Sequence, residues 1–394
     1  MPDAYLLPIK TAALVFPLLA LALFVPVAIV LYRRHGVMSN WRTLSLYGFL
    51  YYLLTAFFLT IVPLPAASVD VCVKFAGFAQ PQLVPGNTFG DIWKESGHQA
   101  SFGALVLHNS AVWETGLNVL LLVPLGVFLR YHFRRGFWVT AGIGLAVSLF
   151  FELTQYTGLW GIYQCPYRLA DVDDLIVNTG GAMLGWWISG PLARWLPTLD
   201  TLDDQALARR PVPLGRRLLA LLLDVVGVSI ATGFAGLIAL ILDYNVLWAP
   251  VIVVLVWFVA LPWLTGGTPG KWVLLLKLVG PDGGRPTPWR LLVRAAALSV
   301  PFLPIAFAAL VVSEYAVRSP GMVLDALREV NARELLVIVI TAALVCALLV
   351  IYGLAIRFHP RHLGIHEMLS GVRNEALPHK RARQATPVEE HAEL

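Results

Sequence analysis

Apolar runs long enough to cross a lipid bilayer recur along the whole chain, and no other feature restricts its fold as strongly. A hydrocarbon core of roughly 30 Å takes about 20 residues of helix. Runs of that order lie at approximately 11–32, 44–62, 116–130, 137–157, 175–196, 217–242, 246–264, 291–313 and 335–357. Charged residues make up 13% of the chain and the mean hydropathy is +0.72, which excludes an ordinary soluble domain. The expectation is an all-α, polytopic integral membrane protein of about nine transmembrane helices in two bundles, five plus four.

Orientation follows from the basic residues, because short Lys- and Arg-bearing loops stay cytoplasmic. With the N-terminus outside and the C-terminus inside, only Lys10, Lys74, Lys94, Arg168, Arg318, Arg328 and Arg333 of the 29 basic residues fall outside. The net charge of +5 is therefore a topology signal, and no nucleic-acid partner is read from it. The first run is too long for a signal-peptide core, has no basic flank, and is followed by "LYRRHG" where a cleavage site would stand; it reads as a spanning helix.

A composition break divides the chain. "LPTLDTLDDQALARRPVPLG" is polar and proline-bearing, which predicts one membrane domain over residues 1–196, a cytoplasmic linker over 197–215, a second membrane domain over 216–376 and a disordered tail over 377–394. No period of 20–50 residues repeats, so neither a solenoid nor an inverted-repeat transporter is indicated.

The polar groups of the first half converge. In "RLADVDDLIVNTGGAMLG", Asp171, Asp174 and Asn178 share one face of the start of the fifth helix, with Arg168 in the preceding loop. Helix capping accounts for Asp171 and Asp173. It does not account for Asn178, one turn inside the apolar region. The fourth helix brings Glu152 and Gln155 near its outer end, and the third brings Glu114 and Asn118 near its outer start. An intramembrane carboxylate costs about 2.5–3.5 kcal/mol at helix centre, so several at one depth point to a site, with interhelical structural bonding as the alternative. Glu114, Glu152, Asp171 and Asp174 face one Arg168, an excess of acidity that a proton, a cation or a cationic ligand would balance.

These residues also carry a family resemblance. "NVLLLVPLG" with Asn118, Pro124 and Gly126, then "FELTQ", then the motif from Arg168 to Gly185, is similar to the VanZ-like membrane domain over about residues 40–196. The resemblance implies a bacterial cell-envelope protein, associated in one lineage with reduced susceptibility to the glycopeptide teicoplanin and thus with antibiotic resistance. Gly181 and Gly185 form G-x-x-x-G, which predicts close helix packing within the chain rather than dimerisation.

The second half has its own pattern. "RRLLALLLDVVG" sets Arg217 and Asp224 two turns apart on one helix face, with Arg217 expected to pair with Asp224 or its neighbours. "GGTPGKWVLLLKLVGPDGGRP" gives two turns flanking an apolar stretch too short to span, and "GIHEMLSGVRNEA" follows the last helix. Together these resemble the RDD family membrane domain over about 210–376. Glu367 stands where that family has Asp, "GVRNE" replaces its usual ending, and "SEYAVRSPGMVLDALREVNARE" is outside the resemblance. The TPGK turn lacks phosphate-loop spacing. Arg217, Asp224, Lys271, Arg294 and Glu367 map to the inner leaflet as a polar network, in which Lys271 faces headgroups or pairs with an acid.

His98, His108, His359 and His362 have no metal-ligand spacing, and no cofactor is indicated. Three function classes follow: an envelope protein whose outer acidic pocket binds a membrane lipid, a lipid-linked envelope precursor or a cation; an enzyme acting on such a lipid; or a cation or proton transporter. No nucleophile–base pair can be named for the second, and the two polar clusters lie in different domains, against the third. Cys346 reads as a buried apolar residue, whereas Cys72 and Cys165 fall in outer loops of an oxidising compartment and are expected to form a disulfide over the polar site.

Overall fold

The computed structural model describes residues 2–210, 212–305, 332–360 and 362–379. Their regular elements are helices apart from one two-stranded antiparallel sheet, and seven helices are long and apolar enough to cross a membrane. The seven are α1 (Pro2–His35), α2 (Asn40–Ile61), α3 (Ser110–Tyr131), α4 (Phe137–Tyr156), α7 (Leu214–Ile241), α8 (Trp248–Thr265, with a π turn at Val256–Ala260) and α11 (Ala332–Phe358).

Two expected spans differ, each for a local reason. The fifth run forms α5 (Val172–Leu192), long enough to span at 21 residues but less apolar than the seven, because it carries Asp173, Asp174, Asn178 and several glycines. The eighth begins as α10 (Pro288–Ser299) and passes into a tight turn at Val300–Phe302, which contains Pro301. Its residues 306–313, the stretch 313–331 and the tail beyond 379 lie outside the described residues.

The chain separates into two compact units, one of residues up to Ala28 with Met38–Ala206, the other of Ile29–Val37 with the chain from Leu207 on. In the first, α5 lies against α3 and α4 at backbone distance. A Cβ at Gly181 would fall on the Val119 carbonyl oxygen, one at Gly185 on that of Val123, and one at Gly126 on that of Ala182. The order of these pairs makes α3 and α5 parallel. Gly144 of α4 meets the Ala182 side chain the same way. Leu122, Leu125, Phe151, Ala182 and Ala56 of α2 close the apolar core around this contact.

Part of the stretch expected as a linker is the helix α6 (Leu199–Arg209). Its Asp203, fully buried, accepts from Arg42 Nε at 2.8 Å and Ser39 Oγ at 2.6 Å, and Asp200 accepts from Arg42 Nη2 at 3.0 Å.

In the second unit the TPGK turn opens the short helix α9 (Pro269–Val273), and the apolar stretch after it is too short to span and runs into β1 (Leu276–Val279). β1 pairs with β2 (Arg373–Ala376), Leu278 opposite Asn374. Arg216 holds this turn from inside, donating from Nε to Leu274 O at 2.7 Å and from Nη2 to Leu275 O at 2.9 Å. Leu278, Leu291 and Val372 form the small core beneath the sheet and α12 (Ile365–Ser370). Cys346 departs from expectation. It is exposed on α11, whose apolar window has no residue buried by protein, so a small apolar side chain there is suited to lipid rather than to a core.

Because the α3–α5 contact is carbonyl against glycine, a side chain there cannot be absorbed by rotamer change. Gly185→Leu is expected to destabilise the protein by at least about 1–3 kcal/mol, the usual cost of overpacking. Thermal unfolding in detergent measures this, with Gly180→Leu, at a position where an added Cβ meets nothing within 4 Å, as the neutral control.

Candidate functional site

The first unit contains a partly open cavity of about 600 Å³ between α2, α3, α4 and α5. Glu114 and Asn118 of α3, Glu152 and Gln155 of α4, Asp174 and Asn178 of α5 and Arg168 of the preceding loop all line it. Helical spacing accounts for the convergence: each pair lies three or four residues apart and so shares a face. Asp171 does not line the cavity. Its carboxylate caps α5, accepting from Asp173 N at 2.8 Å, while its own N–H donates to Glu152 Oε2 at 3.1 Å. Burial raises the Asp171 carboxyl above its ordinary value, and the Asp173 N–H opposes that shift.

Within the cavity Asn118 Nδ2 donates to Asp174 Oδ1 at 2.5 Å, and Gln155 Nε2 to Thr60 O at 2.6 Å. Asn178, 3% exposed, donates to Ser148 Oγ at 3.0 Å, but its Oδ1 has no partner. Among the described residues no ion pair engages Glu114, Glu152 or Asp174. The cavity therefore presents three carboxylates, an unpartnered amide oxygen and one guanidinium, a set that accepts hydrogen bonds and positive charge. The α2 wall, with Tyr52, Thr55 and Thr60, is not foreseeable from motifs, since α2 carries no Asp, Glu, Lys or Arg at that level.

Two loops close over this end of the unit. Cys72 and Cys165 form a disulfide with Cα atoms 5.1 Å apart, and Tyr163 Oη donates to Pro65 O at 3.0 Å. Gln82 exchanges backbone bonds with the start of α5, accepting from Val172 N at 3.0 Å and donating to Ala170 O at 2.8 Å. Asp173 completes the tie, accepting from Gly86 N, Thr88 N and Thr88 Oγ1 at 2.7, 2.9 and 2.8 Å. The middle aspartate of the motif thus fastens the loop, a role that its position as a helix-capping residue only partly signalled.

The five polar residues of the second unit form two linked clusters. Asp224 is fully buried and accepts from Thr268 Oγ1 at 2.5 Å, Gly270 N at 2.8 Å and Trp257 Nε1 at 3.0 Å, with Lys271 Nζ 3.5 Å away. Gly270 is required there because a Cβ would strike the Ala220 carbonyl. The TPGK turn is a carboxylate cradle. Arg217 does not reach Asp224; it donates from Nη1 to Glu367 Oε2 at 3.0 Å and to His362 O at 2.9 Å, because the turn already fills the coordination of Asp224. Arg294, 3% exposed, donates to Val372 O at 2.9 Å. Burial lowers the Lys271 ammonium from its ordinary value, and the Asp224 carboxylate opposes the shift.

The profile of the VanZ/LLP1 family matches residues 49–193, and that of the RDD family matches residues 211–371. The chain is thus a multi-pass membrane protein that joins a VanZ-like domain to an RDD domain. No curated protein and no solved structure matches the chain.

Two expectations follow from this geometry. Asp173→Ala frees three donors, so hydrogen exchange at the Gly86 and Thr88 amides is expected to rise, with the α5 amides beyond Asn178 unchanged. Asp224→Ala strands Lys271 without its counter-charge, and removing one partner of a buried pair costs about 3–5 kcal/mol. Denaturant titration in detergent is expected to show a loss of that order, with a smaller loss for Asp224→Asn.

Proposed function

We propose that the cavity of the VanZ-like domain is the binding site of a cationic or lipid-linked ligand of the cell envelope, with the disulfide-bearing end facing outside. The observation that carries this reading is the charge set: Glu114, Glu152 and Asp174 line one cavity and none is ion-paired among the described residues. Buried charge is stable when it is paired, and a cationic group entering the cavity supplies the partner. Asn178 Oδ1 adds an acceptor for an N–H or O–H of the same ligand. Binding is favoured over catalysis because, among the described residues, no nucleophile hydrogen-bonded to a base lines the cavity.

The basic residues near the other ends of these helices, Arg130, Arg134 and Arg135 among them, support the outward orientation of the cavity. Through such a ligand the protein would modulate susceptibility to teicoplanin-type glycopeptides, as the VanZ resemblance implies.

Native mass spectrometry of the full-length protein extracted from envelope membranes tests the proposal. The wild type is expected to retain a small-molecule or lipid adduct, and Glu152→Gln with Asp174→Asn to lower its occupancy about tenfold, the equivalent of roughly 1.4 kcal/mol. An adduct of equal occupancy in both proteins, or none in either, would count against a ligand site here.

A further inference from the structure

The second unit contains a cavity pair that its carboxylate cradle does not explain. One cavity, of about 340 Å³, is lined by Arg209, Arg210, Arg217, Arg357 and Arg373 against a single carboxylate, Glu367. That carboxylate is already engaged. Besides Arg217 it accepts from Gly364 N at 2.9 Å and Asn374 Nδ2 at 2.7 Å. Arg209, Arg210, Arg357 and Arg373 enter no ion pair among the described residues.

The second cavity, about 390 Å³, shares Leu214, Arg217, Ile356, Glu367 and Asn374 with the first, so the two adjoin. Its walls are mainly apolar, with Leu221 of α7, Leu298 of α10, Phe302 and Leu349 of α11. Where the two meet, Arg217 Nε and Asn374 Oδ1 are buried without partners. The charges lining or adjoining this region do not balance either: Arg217, Lys271 and Arg294 face Asp224 and Glu367. His366 offers no compensation, since burial and the Arg294, Lys271 and Arg217 charges lower it to about 2 and leave it neutral.

We infer that the RDD domain holds an anionic phospholipid, its phosphate at the arginine-lined mouth and an acyl chain in the adjoining apolar slot. A phosphate is the complement of clustered guanidinium groups, which grip it through paired N–H donors. An uncompensated cation in low dielectric favours an anion beside it. A free phosphate would satisfy the mouth and leave the slot empty, whereas a lipid fills both. Basic pockets between membrane helices are the usual sites of anionic headgroups in the cytoplasmic leaflet. The distribution of Lys and Arg expects this end of the helices there.

The test uses the full-length protein in detergent, titrated with dioleoylphosphatidylglycerol, dioleoylphosphatidylcholine, glycerophosphoglycerol and inorganic phosphate, with binding read by native mass spectrometry. Phosphatidylglycerol is expected to bind at least about tenfold more tightly than phosphatidylcholine, and the Arg357→Gln/Arg373→Gln double variant to remove most of that preference. Both arginines are exposed, so the variant is expected to unfold at the wild-type temperature. Leu298→Trp, which fills the slot, is expected to weaken phosphatidylglycerol about tenfold or more while leaving glycerophosphoglycerol unaffected. Equal binding of the two lipids, an undiminished preference in the double variant, or headgroup or inorganic phosphate binding as tightly as the intact lipid would each overturn the inference.

Discussion

The contact between α3 and α5, glycine against carbonyl, sets the scale for the rest of the VanZ-like domain. Gly181 and Gly185 let the two backbones meet at Val119 and Val123, and Gly126 returns the contact from the other side. In lipid there is no hydrophobic force to bring helices together, so close van der Waals approach has to supply it. Once these helices touch, Asn118 is within a hydrogen bond of Asp174 and α4 can seat Glu152 beneath the Asp171 amide. A wider spacing would leave the same carboxylates separated and wet.

Each domain also handles buried charge in its own way. In the RDD domain the buried cations outnumber the buried carboxylates among the described residues, and Asp224 and Glu367 are saturated with backbone, hydroxyl, indole, amide or guanidinium donors. In the cavity of the VanZ-like domain the carboxylates outnumber the cations, and Glu114, Glu152 and Asp174 have no ion-pair partner among the described residues. Saturated polar networks make a fold specific, while unsatisfied groups leave room for a ligand. The opposite signs are the basis of the two proposals, a cationic ligand for the one domain and an anionic lipid for the other.

Adjacent aspartates in one motif illustrate how far position decides role. Asp171 caps a helix, Asp173 fastens a loop and Asp174 lines the cavity. Their chemistry is the same; Asp171 is the extended N-cap residue just outside the helix, and the rotation of about 100° per residue separates Asp173 from Asp174 within it. A similar division occurs between Arg216 and Arg217, one buried against the carbonyls of the short turn and the other paired with Glu367.

Hydropathy and motif spacing by themselves determined that this is an all-α multi-pass membrane protein with VanZ-like and RDD domains. Bilayer thickness imposes helix length, and motif residues keep their spacing regardless of what surrounds them. Shared helix faces likewise made Glu114, Asn118, Glu152, Gln155, Asp174 and Asn178 legible as cavity residues, because spacing of three or four residues is a property of one helix. Only the tertiary structure decided what each polar group bonds to. Arg217 bonds Glu367 rather than Asp224, the TPGK turn wraps Asp224, α2 supplies a cavity wall and Asp203 anchors on Arg42. Those outcomes depend on distances between elements, set in part by where Gly181, Gly185 and Gly270 let backbones touch, and no periodicity along a single helix encodes its neighbour's position.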